Sequence, residues 1–176
     1  VDYHFGTEAG NEYLIGIREL ITNEYPIIGD YGVNSLGSND MYYKGGAMIH
    51  TLRQIMNDDE AVRKLLRDLN REFYHQTVSS AQVEEFINSQ IEIDLAPFFD
   101  QYLRTTKIPR FQYRIKGDKL SYRFKNVVPG FDIPLRVFVN DKEQWIYPDE
   151  EWQELLNGID IESILEDENF SVRVAK

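Results

Sequence analysis

The chain has 176 residues, of which 42% are apolar and 28% charged, so it carries enough apolar side chain for a hydrophobic core. Its net charge is −11, and its 19 Lys and Arg residues are scattered without a basic stripe, which argues against nucleic acid and anionic membrane as partners. It contains no cysteine, which excludes disulfides and thiolate metal sites and leaves the compartment undecided.

No apolar run approaches the ~20 residues that a membrane-spanning helix needs, and no signal peptide is visible. The chain begins at Val1 rather than at a methionine. We therefore expect it to be a piece of a longer protein, whose localisation this sequence leaves unknown.

Helical spacing of apolar residues predicts five helices before residue 107. Thr7, Asp40, Asp58 and Asp94 are the expected N-caps, and Ser79 with Gln82 has the spacing of a capping box. Residues 26–39, rich in Gly, Asn and Ser, are expected to form a long loop. The side chains expected to point inward are Tyr13, Leu14, Ile17, Leu20, Ile21, Met48, Ile49, Leu52, Ile55, Met56, Val62, Leu65, Leu66, Leu69, Phe73, Leu95, Phe98, Phe99, Tyr102 and Leu103.

The pattern changes to strict alternation after Pro109, which indicates strands. Phe111, Tyr113 and Ile115 are expected to share one apolar face, which Leu120, Tyr122 and Phe124 continue. Two hairpin turns are predicted, at residues 117–118 and 140–141, followed by a last strand near the C-terminus. Pro134 favours an edge position. The sequence thus predicts an α+β chain with a helical part, residues 1–107, followed by a small antiparallel β-sandwich domain, residues 108–176.

No metal site or activated nucleophile is evident in the sequence. The histidines, His4, His50 and His75, include no HExxH pair, and a self-contained zinc site needs three or four ligands. We expect packing or surface roles for them, with His50 at the edge of the core. Adjacent acidic pairs such as Asp58–Asp59 and Glu84–Glu85 do not face each other on a helix, so neither forms a carboxylate dyad by itself.

The segment DMYYKGGAMIHTLR, residues 40–53, is an unusual helix start, with two tyrosines followed by two glycines. A tyrosine hydroxyl can donate a hydrogen bond to a developing oxyanion while staying neutral, because its pKa is ~10. Glycines there would let another backbone come close to the tyrosine's turn. The alternative is that Tyr42 and Tyr43 are half-buried aromatics in a packed helix.

The motif Tyr42-Tyr43-Lys44-Gly45, with the helix that follows, resembles the zinc aminopeptidases that include aminopeptidase N and leukotriene hydrolase, the gluzincins. The phrase DLAPFFDQYLRTTKIPRFQY is similar to that family's passage into its β-domain, and the resemblance spans roughly residues 10–115. It implies a helical portion of a peptidase catalytic domain. It also implies that Tyr42, the first motif residue, stabilises the transition state, with Lys44 and Gly45 as supporting motif residues.

The same resemblance implies that the full-length parent uses zinc and releases N-terminal residues from peptides. The HExxH pair and the third-ligand glutamate are absent from this sequence, so the zinc ligands would lie outside it. We therefore expect the fragment to be inactive, with an apolar face beside Tyr42 that is either exposed or buried by self-association in a dimer. The alternative is a non-catalytic helical and β-sandwich interaction module from a zinc-less relative.

Overall fold

A computed structural model describes residues 1–29 and 38–175 of the chain. Most of the loop predicted at residues 26–39 lies outside these described residues. The helices are α1 (Asp2–Phe5), α2 (Thr7–Ile17), α3 (Asp40–Met56), α4 (Asp59–Glu72), α5 (Ser80–Asn88) and α6 (Ala96–Arg104), and a 3-10 turn at Arg18–Leu20 follows α2.

Two of the predicted helix starts are confirmed by their hydrogen bonds. Asp58 caps α4 by accepting from the amides of Glu60 and Ala61, and Ser79 with Gln82 forms a reciprocal capping box on α5. These signals depend on residues three positions apart or fewer. Local sequence therefore specifies where both helices begin.

The other three predicted caps are wrong. The residue that caps α2 is Gly6, because Thr7 already lies inside that helix. The N-cap of α6 is Leu95, although the Asp94 carboxylate accepts a hydrogen bond from the Ala96 amide at 2.9 Å. Asp40 is the first residue of α3 and its carboxylate binds a different segment of the chain.

The strands are β1 (Arg110–Lys116), β2 (Lys119–Lys125), β3 (Leu135–Val139), β4 (Lys142–Ile146), β5 (Gln153–Leu156), β6 (Ile164–Glu166) and β7 (Arg173–Ala175). One sheet has the order β5-β2-β1-β7 and the other β4-β3-β6. Both predicted hairpins form, between β1 and β2 and between β3 and β4. Gly117, Asn140 and Asp141 adopt the positive φ that such tight turns require.

Three features of the sheets differ from expectation. The β1–β7 pair is parallel, whereas an antiparallel arrangement was predicted. Strands β5 and β6 were not predicted, because each is short and lacks a clear alternation. Pro134 does not mark an edge, since it directly precedes β3, the central strand of its sheet. A proline just before a strand removes no hydrogen bond from the ladder.

One apolar cluster runs from the helices into both sheets. It includes Leu52 on α3, Phe98 and Tyr102 on α6, Phe111 on β1 and Val137 on β3. The α+β class is therefore confirmed, with a helical part followed by a small β part. The sandwich arrangement and the domain boundary at residue 107 stay predictions. No helix among the described residues is long and apolar enough to cross a bilayer.

Several residues expected to be inward are instead exposed. Tyr13 and Leu20 are more than half exposed, and Ile49, Leu66 and Ile115 are also on the surface. The helical spacing of these apolar residues predicts that they are buried. No described element packs over them, however, so their side chains remain on the surface. Ile115 lies near the end of a strand, where the sheet no longer covers it.

Candidate functional site

Tyr42 lies in the first turn of α3 with its side chain 66% exposed, whereas Tyr43 is half-buried. The hydroxyl of Tyr42 makes no hydrogen bond to any other part of the chain that the structure describes. The packed-aromatic alternative therefore does not fit Tyr42, whose phenol is available to another molecule. The catalytic role of Tyr42 stays a prediction.

The first turn of α3 is fixed in place by Asp40, which is fully buried. Its carboxylate accepts hydrogen bonds from the amides of Thr22, at 2.9 Å, and Asn23, at 2.7 Å. These charge-assisted bonds are stronger than neutral ones. They tie the turn that carries Tyr42 to the segment after α2.

Lys44 lies one helical turn after Asp40 and is also buried. Its ammonium group donates a hydrogen bond to the carbonyl of Thr105, just past the end of α6, at 2.6 Å. Burial lowers the pKa of Lys44, and the nearby Asp40 carboxylate opposes that shift. The motif lysine therefore joins α3 to α6 and holds the tyrosine turn from its buried side.

The motif glycines leave open space on α3. A β-carbon added at Gly45 would meet no described atom within 4 Å, and one at Gly46 would reach only the Ile17 side chain, at 3.7 Å. The expected close approach of another backbone is therefore not found among the described residues. Gly45 and Gly46 follow Tyr42 by three and four positions, so they share its face of the helix.

That face borders a groove of about 650 Å³ between α2, α3 and α4, here called the α2–α4 groove. Its apolar lining comes from Leu14, Ile49, Val62 and Leu66. The exposed residues noted above, Ile49 and Leu66, thus belong to one surface. An apolar surface is present on the face of α3 that carries Tyr42, as expected, while self-association through it stays a prediction.

A polar cluster borders the same groove. Arg53 pairs with Asp59 at 2.7 Å and also with Asp2. The hydrogen bond from Arg53 holds the pKa of Asp59 below its usual range. Asp59 is thus engaged in an ion pair and Asp58 is a helix cap, so neither is free to form an independent acidic site.

His50 lies at the inner end of this cluster and is buried. Its Nε2 atom is 3.0 Å from the side-chain oxygen of Asn169, and its Nδ1 atom has no hydrogen-bond partner within the described ranges. Burial lowers the pKa of His50. His4 and His75 are exposed. In residues 1–29 and 38–175, no three His, Cys, Asp or Glu side chains are grouped so as to hold a metal ion.

The sequence reasoning missed the roles of Asp40 and Arg53. Asp40 and Lys44 are four residues apart with opposite charges, a spacing that signals an interacting pair on a helix. That signal was available in the sequence. Nothing in the sequence indicated that Asp40 would bind the amides of Thr22 and Asn23, because these residues lie 18 and 17 positions away, respectively.

Known structures contain a similar fold. The crystal structure of Legionella pneumophila aminopeptidase A in complex with aspartic acid matches 99% of this chain with a TM-score of 0.66 and 16% sequence identity. This chain spans 22% of that protein's chain. No family model matches the sequence, and no curated protein matches it either. The likeness establishes an aminopeptidase-like fold.

Proposed function

We propose that this chain is the portion of a zinc aminopeptidase, of the aminopeptidase N and leukotriene hydrolase type, that supplies the transition-state-stabilising Tyr42. The single observation that carries this proposal is the exposed phenol of Tyr42 on a rigidly anchored helix turn. The aminopeptidase-like fold and the Tyr42-Tyr43-Lys44-Gly45 motif support the same assignment.

The role of the phenol follows from its chemistry. Cleavage of a peptide bond places negative charge on the carbonyl oxygen, and a positioned hydroxyl stabilises that charge by donating a hydrogen bond. Such a donor is effective only if it is held in place before the reaction. Asp40 and Lys44 provide this positioning, because both fix the turn from its buried side.

The described residues do not fit a zinc site. They contain no grouped set of ligands, and we assign no ligand role to His4, Glu8 or Glu12. Under this proposal the ligands belong to another part of the parent polypeptide, and the peptide substrate binds where both parts meet. The chain alone is then inactive.

The test uses the full polypeptide that carries this chain. Hydrolysis of aminoacyl reporter substrates is measured before and after removal of metal with a chelator, for the unchanged protein, Tyr42→Phe and Tyr43→Phe. Losing one oxyanion donor lowers kcat by about 10²–10³-fold. We expect that loss for Tyr42→Phe with little change in KM, and near-normal activity for the matched control Tyr43→Phe.

Two results would contradict the assignment. Full activity in Tyr42→Phe would remove the catalytic role of the hydroxyl. Equal losses in both variants would indicate a general disturbance of the helix start. Circular dichroism and an unfolding curve for each variant separate a chemical defect from a folding defect.

The alternative function is a non-catalytic interaction module, in which the α2–α4 groove would bind a partner segment. An apolar groove of about 650 Å³ suits a partner segment as well as it suits the rest of a catalytic domain. The sequence that precedes Val1 in the parent discriminates between the two. An HExxH pair followed by a glutamate about one helix later supports the peptidase, and non-ligand residues at those positions support the module.

A further inference from the structure

The outer face of the β1–β2 hairpin is positively charged. Side chains at every second position of a strand share one face, and the buried partners Phe111 and Phe124 mark the face toward the core. The alternate positions carry six of the chain's 19 Lys and Arg residues, here called the basic face: Arg110, Arg114, Lys116, Lys119, Arg123 and Lys125. The strand register thus gathers cations that are scattered along the sequence.

The basic face differs in charge from the rest of the molecule. Among the described strands of this sheet, Glu154 on β5 is the one acidic residue on the same face, and it pairs with Lys119 at 2.5 Å. Because the whole chain carries a net charge of −11, the remaining surface is more negative still. Positive charge is therefore concentrated in one place, where it can attract a partner of opposite sign.

Two arginines at the centre of the basic face are held by an aromatic ring. The guanidinium carbons of Arg114 and Arg123 each lie 4.4 Å from the ring centroid of Trp152, a half-buried residue just before β5. The Nε atom of Arg123 also donates to the side-chain oxygen of Gln112 at 3.0 Å. These contacts orient two planar groups, each of which can bind a carboxylate through two parallel hydrogen bonds. Side chains that are ordered beforehand lose less entropy on binding.

The same features favour a short acidic polypeptide over nucleic acid. Proteins that bind single-stranded nucleic acid stack bases on aromatic rings, whereas the Trp152 ring already contacts two guanidinium groups. Strand β1 has seven residues, which corresponds to a length of about 23 Å. A polyanion longer than this would extend onto the negative surface and be repelled there, while a short segment would stay on the basic face.

We propose that the basic face docks a short segment, rich in Asp and Glu, of a separate polypeptide. Carboxylates of that segment bind Arg114 and Arg123, and the surrounding lysines add a longer-range attraction that salt weakens. This interaction lies on the β part and uses neither Tyr42 nor a metal. Its failure would therefore leave the proposed peptidase function untouched, and the reverse also holds.

The experiment titrates the chain into a fluorescently labelled peptide of alternating Glu and Gly with blocked ends, followed by anisotropy. The matched Gln and Gly peptide and a labelled oligothymidylate are the comparison probes. We expect saturable binding of the Glu peptide that weakens with ionic strength, and much weaker binding of the other two. Arg114→Gln and Arg123→Gln should each weaken it by about fivefold, as for a partly exposed ion pair. Arg67→Gln is the control, because it removes the same charge from exposed Arg67 on α4.

The aromatic ring gives a second test that leaves the net charge unchanged. Trp152→Ala should weaken binding by several-fold because it releases both guanidinium groups, whereas Trp152→Phe should largely retain binding. The chain has two tryptophans, and Trp145 lies on β4 in the other sheet. The indole N–H resonance of Trp152 should therefore shift with the Glu peptide in nitrogen-15 NMR while that of Trp145 stays unchanged. Trp145→Phe assigns the two signals.

Several results would overturn the proposal. Equal weakening by Arg67→Gln, or an unshifted Trp152 resonance, would show that the peptide does not bind at the basic face. Tighter binding of oligothymidylate would make the partner a nucleic acid. Dimerisation in sedimentation that Arg123→Gln abolishes would make it a second copy of the chain. Loss of peptide binding in the full polypeptide that carries this chain would show that its own remaining segments cover the face.

Discussion

The hydroxyl of Tyr102 on α6 donates a hydrogen bond to the main-chain carbonyl of Ser171, which lies 69 residues later, over 2.9 Å. The amide of the same Ser171 donates to the side-chain oxygen of Thr51 on α3, also over 2.9 Å. Both backbone groups of Ser171 are thus bound by helical side chains. This arrangement fixes the segment before β7 against α3 and α6. The same two helices are joined by Lys44, which lies on α3 and donates to the Thr105 carbonyl just past α6.

Replacing Tyr102 with Phe should destabilise the chain by about 1–2 kcal/mol, because it leaves the Ser171 carbonyl without this donor while keeping the buried ring. Urea unfolding followed by circular dichroism measures the loss as a lower midpoint. The control is Tyr74→Phe, since Tyr74 is 71% exposed. Equal midpoints for Tyr102→Phe and the unchanged chain would show that this hydrogen bond makes no net contribution to the free energy of unfolding.

Replacing Asp40 with Ala should cost about 3–5 kcal/mol, because it removes two charge-assisted hydrogen bonds and leaves buried Lys44 without its nearby carboxylate. Asp40→Asn, which keeps an acceptor oxygen, should cost less. Exposed Asp132 gives the control variant Asp132→Asn. The free energy of unfolding, measured in urea, checks the order of the three variants. If Asp40→Ala proved no more harmful than Asp132→Asn, the anchoring role of Asp40 would be wrong.

Replacing Gly45 with Ala should stabilise the isolated chain by up to ~1 kcal/mol, because alanine is the better helix former and no described atom lies within 4 Å of the added methyl group. In the full polypeptide the same change should lower peptidase activity if another segment packs at this position. Thermal unfolding of the chain and activity of the parent are measured together. A destabilised chain would indicate that the space at Gly45 is already filled.

The stability of the chain should fall as the pH drops below about 6.5, the ordinary pKa of histidine. Burial lowers the pKa of His50 in the folded state, and Arg53 and Arg18 add to that shift, while Asn169 and Asp2 oppose it. The unfolded chain therefore takes up a proton first, and stability continues to fall until the pH passes the folded pKa.

His50→Gln should flatten this dependence between pH 7.5 and 5, and exposed His4 provides the control His4→Gln. Urea midpoints across that range measure the slope for each variant. An unchanged slope in His50→Gln would assign the pH dependence to other groups.

The sequence by itself determined the local features of this protein. The cap at Asp58, the capping box at Ser79 and the turns at Gly117 and Asn140 each depend on hydrogen bonds or backbone angles within about four residues. Such interactions need only neighbouring residues, so their patterns can be read directly unless a distant segment competes for the same side chain, as happens at Asp40. The α+β class follows from the same periodicities, and the exposed tyrosine could be singled out from its motif.

Only the tertiary structure decided which elements cover one another. It placed Asp40 on the amides of Thr22 and Asn23, paired β1 with β7 in parallel, and left Leu66 exposed beside a groove. It also gathered Arg114 and Arg123 beside Trp152 on the basic face. These contacts join segments far apart in the chain, and their formation depends on the packing of the whole core, which no short stretch of sequence specifies.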